Sequence, residues 1–366
     1  MTNEFIMQMR PWFGEEEKKA IADYMDEDGF LTEFKHTERF ENCIAEYTRA
    51  KHCVVVNNGT ISLTLSALAL GLQPGDEVIV PNYTMIAGPN SLLMVGIKPI
   101  FCDVCPETLC LSIEQIRRKI SHKTKAVMLM DANGREPKEG IEAFVAFCKE
   151  ENLYLLEDAA QGLGSRYRNG KHLGVLADIA SFSFSAPKII STGQGGAIIT
   201  ESDELASKLR RLKDFGRASG GNDTHDSIGF NFKFTEMQAV IGLAQFKKLG
   251  ARVKRKKQIY LRYKEALACL EEVKMFECDT NFTAPWFYDF MVEDREGLID
   301  FLKSRGIGSR VMYPPINRQG CYRQEGLYPV ANDVGRRGLR LPSQAQLTDN
   351  DVDYICHTVT QFYQDV

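Results

Sequence analysis

Leu153-Tyr154-Leu155-Leu156-Glu157-Asp158-Ala159-Ala160-Gln161-Gly162 leads, after a mixed segment, to Ser181-Phe182-Ser183-Phe184-Ser185-Ala186-Pro187-Lys188 and then to Thr192-Gly193-Gln194-Gly195-Gly196. Leu153 to Leu156 has the length and apolar character of a buried strand. It ends on two carboxylates, where clefts open beyond the strand ends of α/β sheets. Ile179 to Ser185 alternates small polar and aromatic residues and predicts a second short strand. That strand delivers a lone lysine, Lys188, into a glycine-rich turn.

Taken singly, Asp158 reads as a helix cap and Lys188 as a loop lysine. Their order and setting point elsewhere. A lysine amine condenses with the aldehyde of pyridoxal phosphate. A carboxylate keeps the cofactor's pyridine nitrogen protonated, so that the ring accepts electrons. Lys188 and Asp158 are the catalytic candidates on this reading.

Working upstream, Cys53 to Val56 predicts a β-branched strand running into Asn57-Asn58-Gly59-Thr60 and the helical pattern Ile61 to Leu70. A strand, a Gly-Thr turn and a helix start make an anion site, because free N–H groups and the helix dipole both favour negative charge. Helix caps use the same residue types. Further strands are predicted at Glu77 to Val80, Lys98 to Val104, Lys125 to Met130 and Ala197 to Thr200. Helical patterns lie between them at Ser112 to Ile120 and Ile141 to Glu151, with others at Pro11 to Tyr24, Glu38 to Ala50 and Asp203 to Lys213. This alternation predicts a mainly parallel sheet with helices on both faces.

Downstream, Gln238 to Lys257 predicts one long helix, with Lys247, Lys248, Arg252, Lys254, Arg255, Lys256 and Lys257 on a solvated face. From about Tyr260 short strands alternate with helices, predicting a small α+β domain. We place a large α/β domain, with an N-terminal helical segment, at 1–245 and the small one at 246–366. Phe230, Phe232 and Phe234 alternate through Gly229 to Thr235. They would form an exposed apolar patch unless they pack into their own core or against a second copy.

With 366 residues, 44% hydrophobic, the chain has enough apolar side chains for a large core and a smaller one. A net charge of −4 and a basic run without interleaved aromatics argue against a nucleic-acid partner. No apolar run approaches the roughly 20 residues that span a bilayer, so no membrane partner is expected. Met1 to Arg10 lacks a signal-peptide apolar region. Ten cysteines, several within apolar runs, read as free thiols in a reducing cytosol, and the expected location is cytoplasmic. Cys102, Cys105 and Cys110 lack a second pair at zinc spacing, and no metal is expected.

Glu157-Asp158-Ala159-Ala160-Gln161, then Ser181-Phe182-Ser183-Phe184, then Lys188 and a Gly-x-Gly-Gly turn resemble the DegT/DnrJ/EryC1/StrS family of sugar aminotransferases. The resemblance covers nearly the whole chain. It implies the type I fold of pyridoxal-phosphate enzymes, like aspartate aminotransferase. It implies that Gly59, Thr60, Ile61 and Ser183 hold the cofactor phosphate and that Gln161 bonds the phenolic oxygen. Met85 stands where many members stack an aromatic ring on the cofactor. By the same resemblance Asn231 crosses a homodimer interface to the partner's phosphate, so active sites are shared, while Tyr313 and Asn317 lie at the substrate cleft. Asn133-Gly134-Arg135 departs from the family's loop, and its contacts stay unassigned. Gly338-Leu339-Arg340-Leu341-Pro342-Ser343 resembles members acting on 4-keto sugars, the perosamine synthases in particular. The implied activity is amination of a nucleotide-linked 4-keto-6-deoxy sugar with glutamate. Amination at C3, a sugar dehydratase and a non-catalytic sugar-nucleotide-binding protein are the alternatives. Lys188 argues against the dehydratase, whose branch carries histidine there.

Overall fold

Seven short strands carry the apolar runs of the first two hundred residues: β1 (His52–Val56), β2 (Glu77–Pro81), β3 (Lys98–Cys102), β4 (Thr124–Met130), β5 (Tyr154–Asp158), β6 (Ile179–Ser183) and β7 (Gly196–Thr200). The computed structural model describes residues 5–27, 29–218 and 223–364. The strands form one sheet in the order β1-β7-β6-β5-β4-β2-β3. Only β7 is antiparallel to its neighbours. The other pairs are parallel, and helices join the strands from β1 to β5 while a long loop over 159–178 makes the β5–β6 crossover. The shorter β6–β7 connection reverses direction and becomes the loop that carries Lys188. Val54, Val55, Val56, Val78, Ile79 and Val80 are fully buried, as in a sheet covered on both faces.

Register decides what meets at the strand ends. Met130 pairs with Asp158, and Asp158 with Ser181. Successive residues of a strand face opposite ways. Asp158 therefore points to one face of the sheet and Glu157 to the other.

A second sheet follows, all antiparallel, built from β8 (Val273–Met275), β9 (Tyr288–Val292), β10 (Arg310–Val311) and β11 (Gly338–Leu341) in the order β10-β11-β9-β8. The helix Pro329–Arg337 leads into β11. Neither that helix nor β11 is among the sequence expectations. Ile6 pairs with Ile307, so the N-terminal segment docks on the second sheet's side of the molecule.

The expected helix over Gln238 to Lys257 is two helices, Glu236–Phe246 and Leu249–Ala266. Lys248 N–H donates to the Gln245 carbonyl at 3.0 Å, a tight turn that ends the first helical ladder. Leu249 and Val253 pack with the large-sheet core, and Ile259, Tyr260 and Tyr263 with the second. The second helix thus bridges the two packing units. Of its basic residues Lys254 lies on the solvated face expected, but Arg252 and Lys256 do not. Arg252 donates to the Trp12 and Ile189 carbonyls at 2.8 and 3.0 Å and lies over the Trp12 ring. Lys256 is buried and donates to the carbonyls of Trp286 and Ser343. Buried carbonyls need donors, and these long cations reach them.

The three alternating phenylalanines also part company. Phe234 is fully buried and stacks on Phe40 at 5.9 Å. Phe232 packs partly into the large core, and Phe230 alone is well exposed. The alternation is not that of a strand, so it assigns the rings to no common face. Residues 219–222 of the loop before this segment lie outside the described residues. All ten cysteines are free. Cys102, Cys105 and Cys110 direct their thiols to three separate acceptors, Gln115, Glu107 and the Arg135 carbonyl.

Candidate active site

β5 ends on Asp158 because the chain turns there: Asp158 Oδ1 accepts the Ala160 N–H at 3.2 Å. Lys188 arrives from the β6–β7 loop, which several hydrogen bonds hold. Phe184 N–H donates to Gly195 O at 2.8 Å, Thr192 N–H to Phe184 O at 3.0 Å, and Lys188 N–H to Ser185 O at 3.0 Å. Gly193 (φ +80) takes the left-handed turn. At Gly195 a side chain would fall 2.5 Å from Thr192 Oγ1. The glycines of the motif are thus needed for the turn and for its close packing.

Burial pushes the Lys188 ammonium down to about 7, against the opposing pull of Asp158; nearby Arg340 pushes it the same way as burial. Burial likewise raises the Asp158 carboxyl, and Lys188 holds it back. Two opposite charges share a dry site, and each softens the other's desolvation. The Lys188 Nζ lies 3.8 Å from the Trp286 ring centroid. Trp286 is fixed in turn by its indole N–H, which donates to Pro187 O at 2.7 Å.

The helix Gly59–Ala69 begins beside this pair. Asn58 caps it, its Oδ1 accepting the Ile61 N–H at 2.9 Å. Gly59 and Thr60 keep first-turn N–H groups that have no acceptor within the helix. Ile61 therefore contributes a buried side chain, its N–H being taken. A Cβ on Gly59 would fall 2.9 Å from Ser183 Cβ, and one on Gly196 would fall 2.6 Å from Asn58 O. The two glycines let β6, β7 and the helix start close up, which sets the Ser183 hydroxyl at the helix N-terminus.

Gln161 Oε1 accepts the Asn133 N–H at 2.7 Å. That fixes which end of the amide is which, and leaves the Nε2 donor only a weak 3.7 Å contact with Met130 Sδ. Asn133 sits at φ 59, and its amide exchanges hydrogen bonds with the Phe287 backbone. The unassigned Asn133 loop is thus a clasp between the Gln161 turn and the second sheet.

The remaining sequence candidates divide. Met85 is 47% exposed on the segment after β2, so it is not core filler. Tyr313 packs 5.8 Å from the Tyr83 ring. Asn317 is buried, and both ends of its amide are committed, to Asn82 at 2.8 Å and to Gln324 O at 3.0 Å. Asn231 is exposed on its own chain; its neighbour Phe232 accepts the Asn57 N–H at 3.1 Å, near the Gly59 turn.

Sequence reasoning missed Trp286, Asp289 and Arg340. Arg340 Nε donates to Asp289 Oδ1 at 2.9 Å and its Nη2 to the Tyr83 hydroxyl at 3.1 Å. Arg135 reaches the other Asp289 oxygen at 3.4 Å. The Arg340 guanidinium lies 4.4 Å from the Tyr313 ring centroid and 5.0 Å from that of Phe287. An arginine inside the segment Gly338 to Ser343, flanked by apolar residues, was the available signal.

The family model of the DegT/DnrJ/EryC1/StrS aminotransferases matches residues 11–360. The chain belongs to this family. GDP-perosamine synthase of Escherichia coli O157:H7 is 35% identical over 366 residues, covering 99% of this chain and all of that protein. The aminotransferase TlmJ of Streptoalloteichus hindustanus superposes with a TM-score of 0.92 at 29% identity, covering 98% of this chain and 99% of that one. NtdA of Bacillus subtilis, solved with bound cofactor PMP, gives 0.89 at 25% identity, covering 96% of this chain and 83% of that one. The expected type I fold of the pyridoxal-phosphate aminotransferases is the one found.

Acylation of Lys188 in cofactor-free protein, followed by peptide mass mapping, should speed up with pH and level off near 7. Asp158→Asn should move that inflexion lower, since the carboxylate favours the ammonium. An inflexion at the ordinary lysine value, near 10, would contradict the burial argument.

Proposed function

We propose that this chain is a pyridoxal-phosphate-dependent aminotransferase that aminates a nucleotide-linked 4-keto-6-deoxy sugar, with glutamate as donor. The observation that carries the reading is the half-buried Lys188 coupled to the buried Asp158 beside the Gly59–Ser183 turn. The cofactor, when bound, supplies an electron sink for the substrate carbon that loses its proton. Gly59 and Thr60 offer two N–H groups, and Ser183 a hydroxyl, to its phosphate. Asp158 favours a protonated pyridine nitrogen. Gln161, with its oxygen committed to Asn133, presents Nε2 to the phenolic oxygen. Lys188 would hold the cofactor and, once released as a neutral amine, would accept the proton from the substrate carbon. Its lowered pKa makes that neutral form abundant near neutral pH.

Met85 is free to pack against a ring face. Tyr313 is assigned to the sugar side. Asn317 is assigned to holding its segment on Asn82 rather than to gripping substrate. The ten free thiols suit a reducing compartment, and we place the protein in the cytoplasm. Among the described residues no helix is long and apolar enough to cross a membrane.

We assign a two-fold dimer on the exposed apolar residues Phe30, Leu31, Phe34, Ile228 and Phe230. The Thr32–Thr235 bridge joins the two segments that carry them. Soluble monomers avoid patches of this kind. In the dimer Asn231 reaches the partner's Gly59 turn.

Borohydride reduction of the yellow protein should fix the cofactor on Lys188. Label on any other lysine would refute the assignment. With glutamate and a panel of nucleotide-linked keto sugars, 2-oxoglutarate should appear only when a 4-keto-6-deoxy sugar is present, with the amine at C4. An amine at C3 would overturn the regiochemistry.

Complementation tests the shared site. Lys188→Ala chains and Asn231→Ala chains, each inactive alone, should regain activity on subunit exchange, because one site per mixed dimer escapes both changes. Mixed dimers that form without recovering activity would mean that Asn231 serves its own chain.

A further inference from the structure

Glu236 opens the helix Glu236–Phe246, yet its side chain serves a different helix. The helix Lys35–Thr48 starts after Phe34, whose side chain cannot cap it, and its first-turn N–H groups need acceptors. Glu236 Oε1 accepts the N–H groups of Phe34 and Thr37 at 2.8 and 2.7 Å and the Thr37 hydroxyl at 2.6 Å. Its Oε2 accepts the His36 N–H at 2.8 Å and lies 3.1 Å from His36 Nδ1. Glu236 is fully buried; burial pushes its carboxyl up, but these donors hold it below the ordinary value. The Glu236 N–H in turn donates to Leu31 O at 3.3 Å. One buried carboxylate thus joins two segments that meet at the Thr32–Thr235 bridge. The first carries Phe30, Leu31 and Phe34; the second, Gly229 to Thr235, carries Asn231. At its other end the second segment is pinned to the helix Asp203–Lys213. Phe230 N–H donates to Leu212 O at 2.8 Å and Phe232 N–H to Lys213 O at 3.0 Å. Asn231 stands exposed between these two attachments.

We propose that Glu236 is a positioning residue for the partner's phosphate site: it fixes the Thr235 end of the Asn231 segment and so sets where Asn231 meets the other chain. The inference rests on the shared-site reading above and adds the residue that holds that reach in place. A rival route stays within the chain, from the Lys35–Thr48 helix through Phe40 to Phe184 under the Lys188 loop. Packing argues against that route. Phe40 is fully buried, with the rings of Phe184 and Phe234 at 5.2 and 5.9 Å. The body of its helix has a separate tie to β1, where Glu41 Oε1 accepts the Val55 N–H at 2.9 Å. Losing the Glu236 carboxylate therefore loosens the first turn and the segment bridged to it, and leaves the floor of the Lys188 loop packed. Buried N–H groups left without an acceptor are costly, so the turn moves to find water.

The test titrates the dimer with pyridoxal phosphate and with pyridoxal, which lacks the phosphate. Glu236→Gln keeps the shape but turns an NH2 donor toward backbone N–H groups. It should bind pyridoxal phosphate roughly 10- to 100-fold more weakly, the range for a hydrogen bond to a charged group. Pyridoxal should bind as it does to the parent. Thr37→Val, which removes one donor and keeps the carboxylate, should show the same phosphate-selective loss in smaller degree, and it serves if Glu236→Gln does not fold. Subunit exchange then assigns the chain, at a cofactor level too low to load Glu236→Gln dimers. Mixed with Lys188→Ala chains, they should regain activity, because one site pairs an intact Lys188 with an Asn231 whose own chain keeps Glu236. Mixed dimers without recovery would place the effect of Glu236 in its own chain and overturn the proposal. So would equal losses for the two ligands, or no loss in either variant. A parent that sediments as a monomer sinks the shared-site reading, and this inference with it.

Discussion

Two opposite charges that lose water and act on one another govern this structure. Asp158 and Lys188 each lose water, and burial is the largest influence on both. Their mutual attraction offsets only part of that cost, as is usual for buried pairs. The surrounding core must therefore hold the pair rigidly. It does so from both sides of the Lys188 loop. Phe184 lies under the loop against Phe40, with ring centroids 5.2 Å apart, and Trp286 covers it from the second sheet. The incomplete compensation is itself useful, because it leaves a lysine that gives up its proton near neutral pH.

The second sheet does more than cover the site. Asn133 links it to the Gln161 turn through the Phe287 backbone, and Lys256 ties it to the bridging helix through the carbonyls of Trp286 and Ser343. Cations reaching buried carbonyls are directional, and removing one leaves acceptors unmet. The site thus depends on how the packing units dock, and the docking on a few polar contacts set within apolar surroundings.

This division explains what could be read in advance. The strands of the large sheet were legible because most are short apolar runs bounded by turn residues and β6 alternates small polar and aromatic ones; the site pair was legible because Asp158 ends one strand and Lys188 follows another into a glycine-rich turn. Gly59 and Gly196 could be suspected from turn chemistry, though not the close contacts with Ser183 and Asn58 that require them. Trp286, Asp289 and Arg340 escaped because contacts such as that between Tyr83 and Arg340 join residues far apart in sequence, and no local pattern encodes them. The basic run misled for a related reason. Its residues look solvent-bound in a linear reading, yet Arg252 and Lys256 are among the buried side chains. Phe234 shows the limit of alternation as a guide: spacing of two assigns a face only where the backbone is a paired strand.

Strand parity carries one last consequence. Glu157 points to the face opposite Asp158, where it meets Asp131, the residue that follows β4. Both are fully buried. Burial, then the Glu157 charge, pushes the Asp131 carboxyl well up. Burial raises the Glu157 carboxyl too, but Asp131, the Tyr167 hydroxyl and, at 3.0 Å, the Gly174 N–H hold it back. The hydrogen bonds to Glu157 favour the charge there and the proton on Asp131. Were Asp131 charged as well, a further anion would stand one strand from Asp158 and oppose its ionisation, since like charges nearby disfavour the charged form. A neutral Asp131 spares Asp158 that opposition, and Lys188 is the charge that holds its carboxyl back.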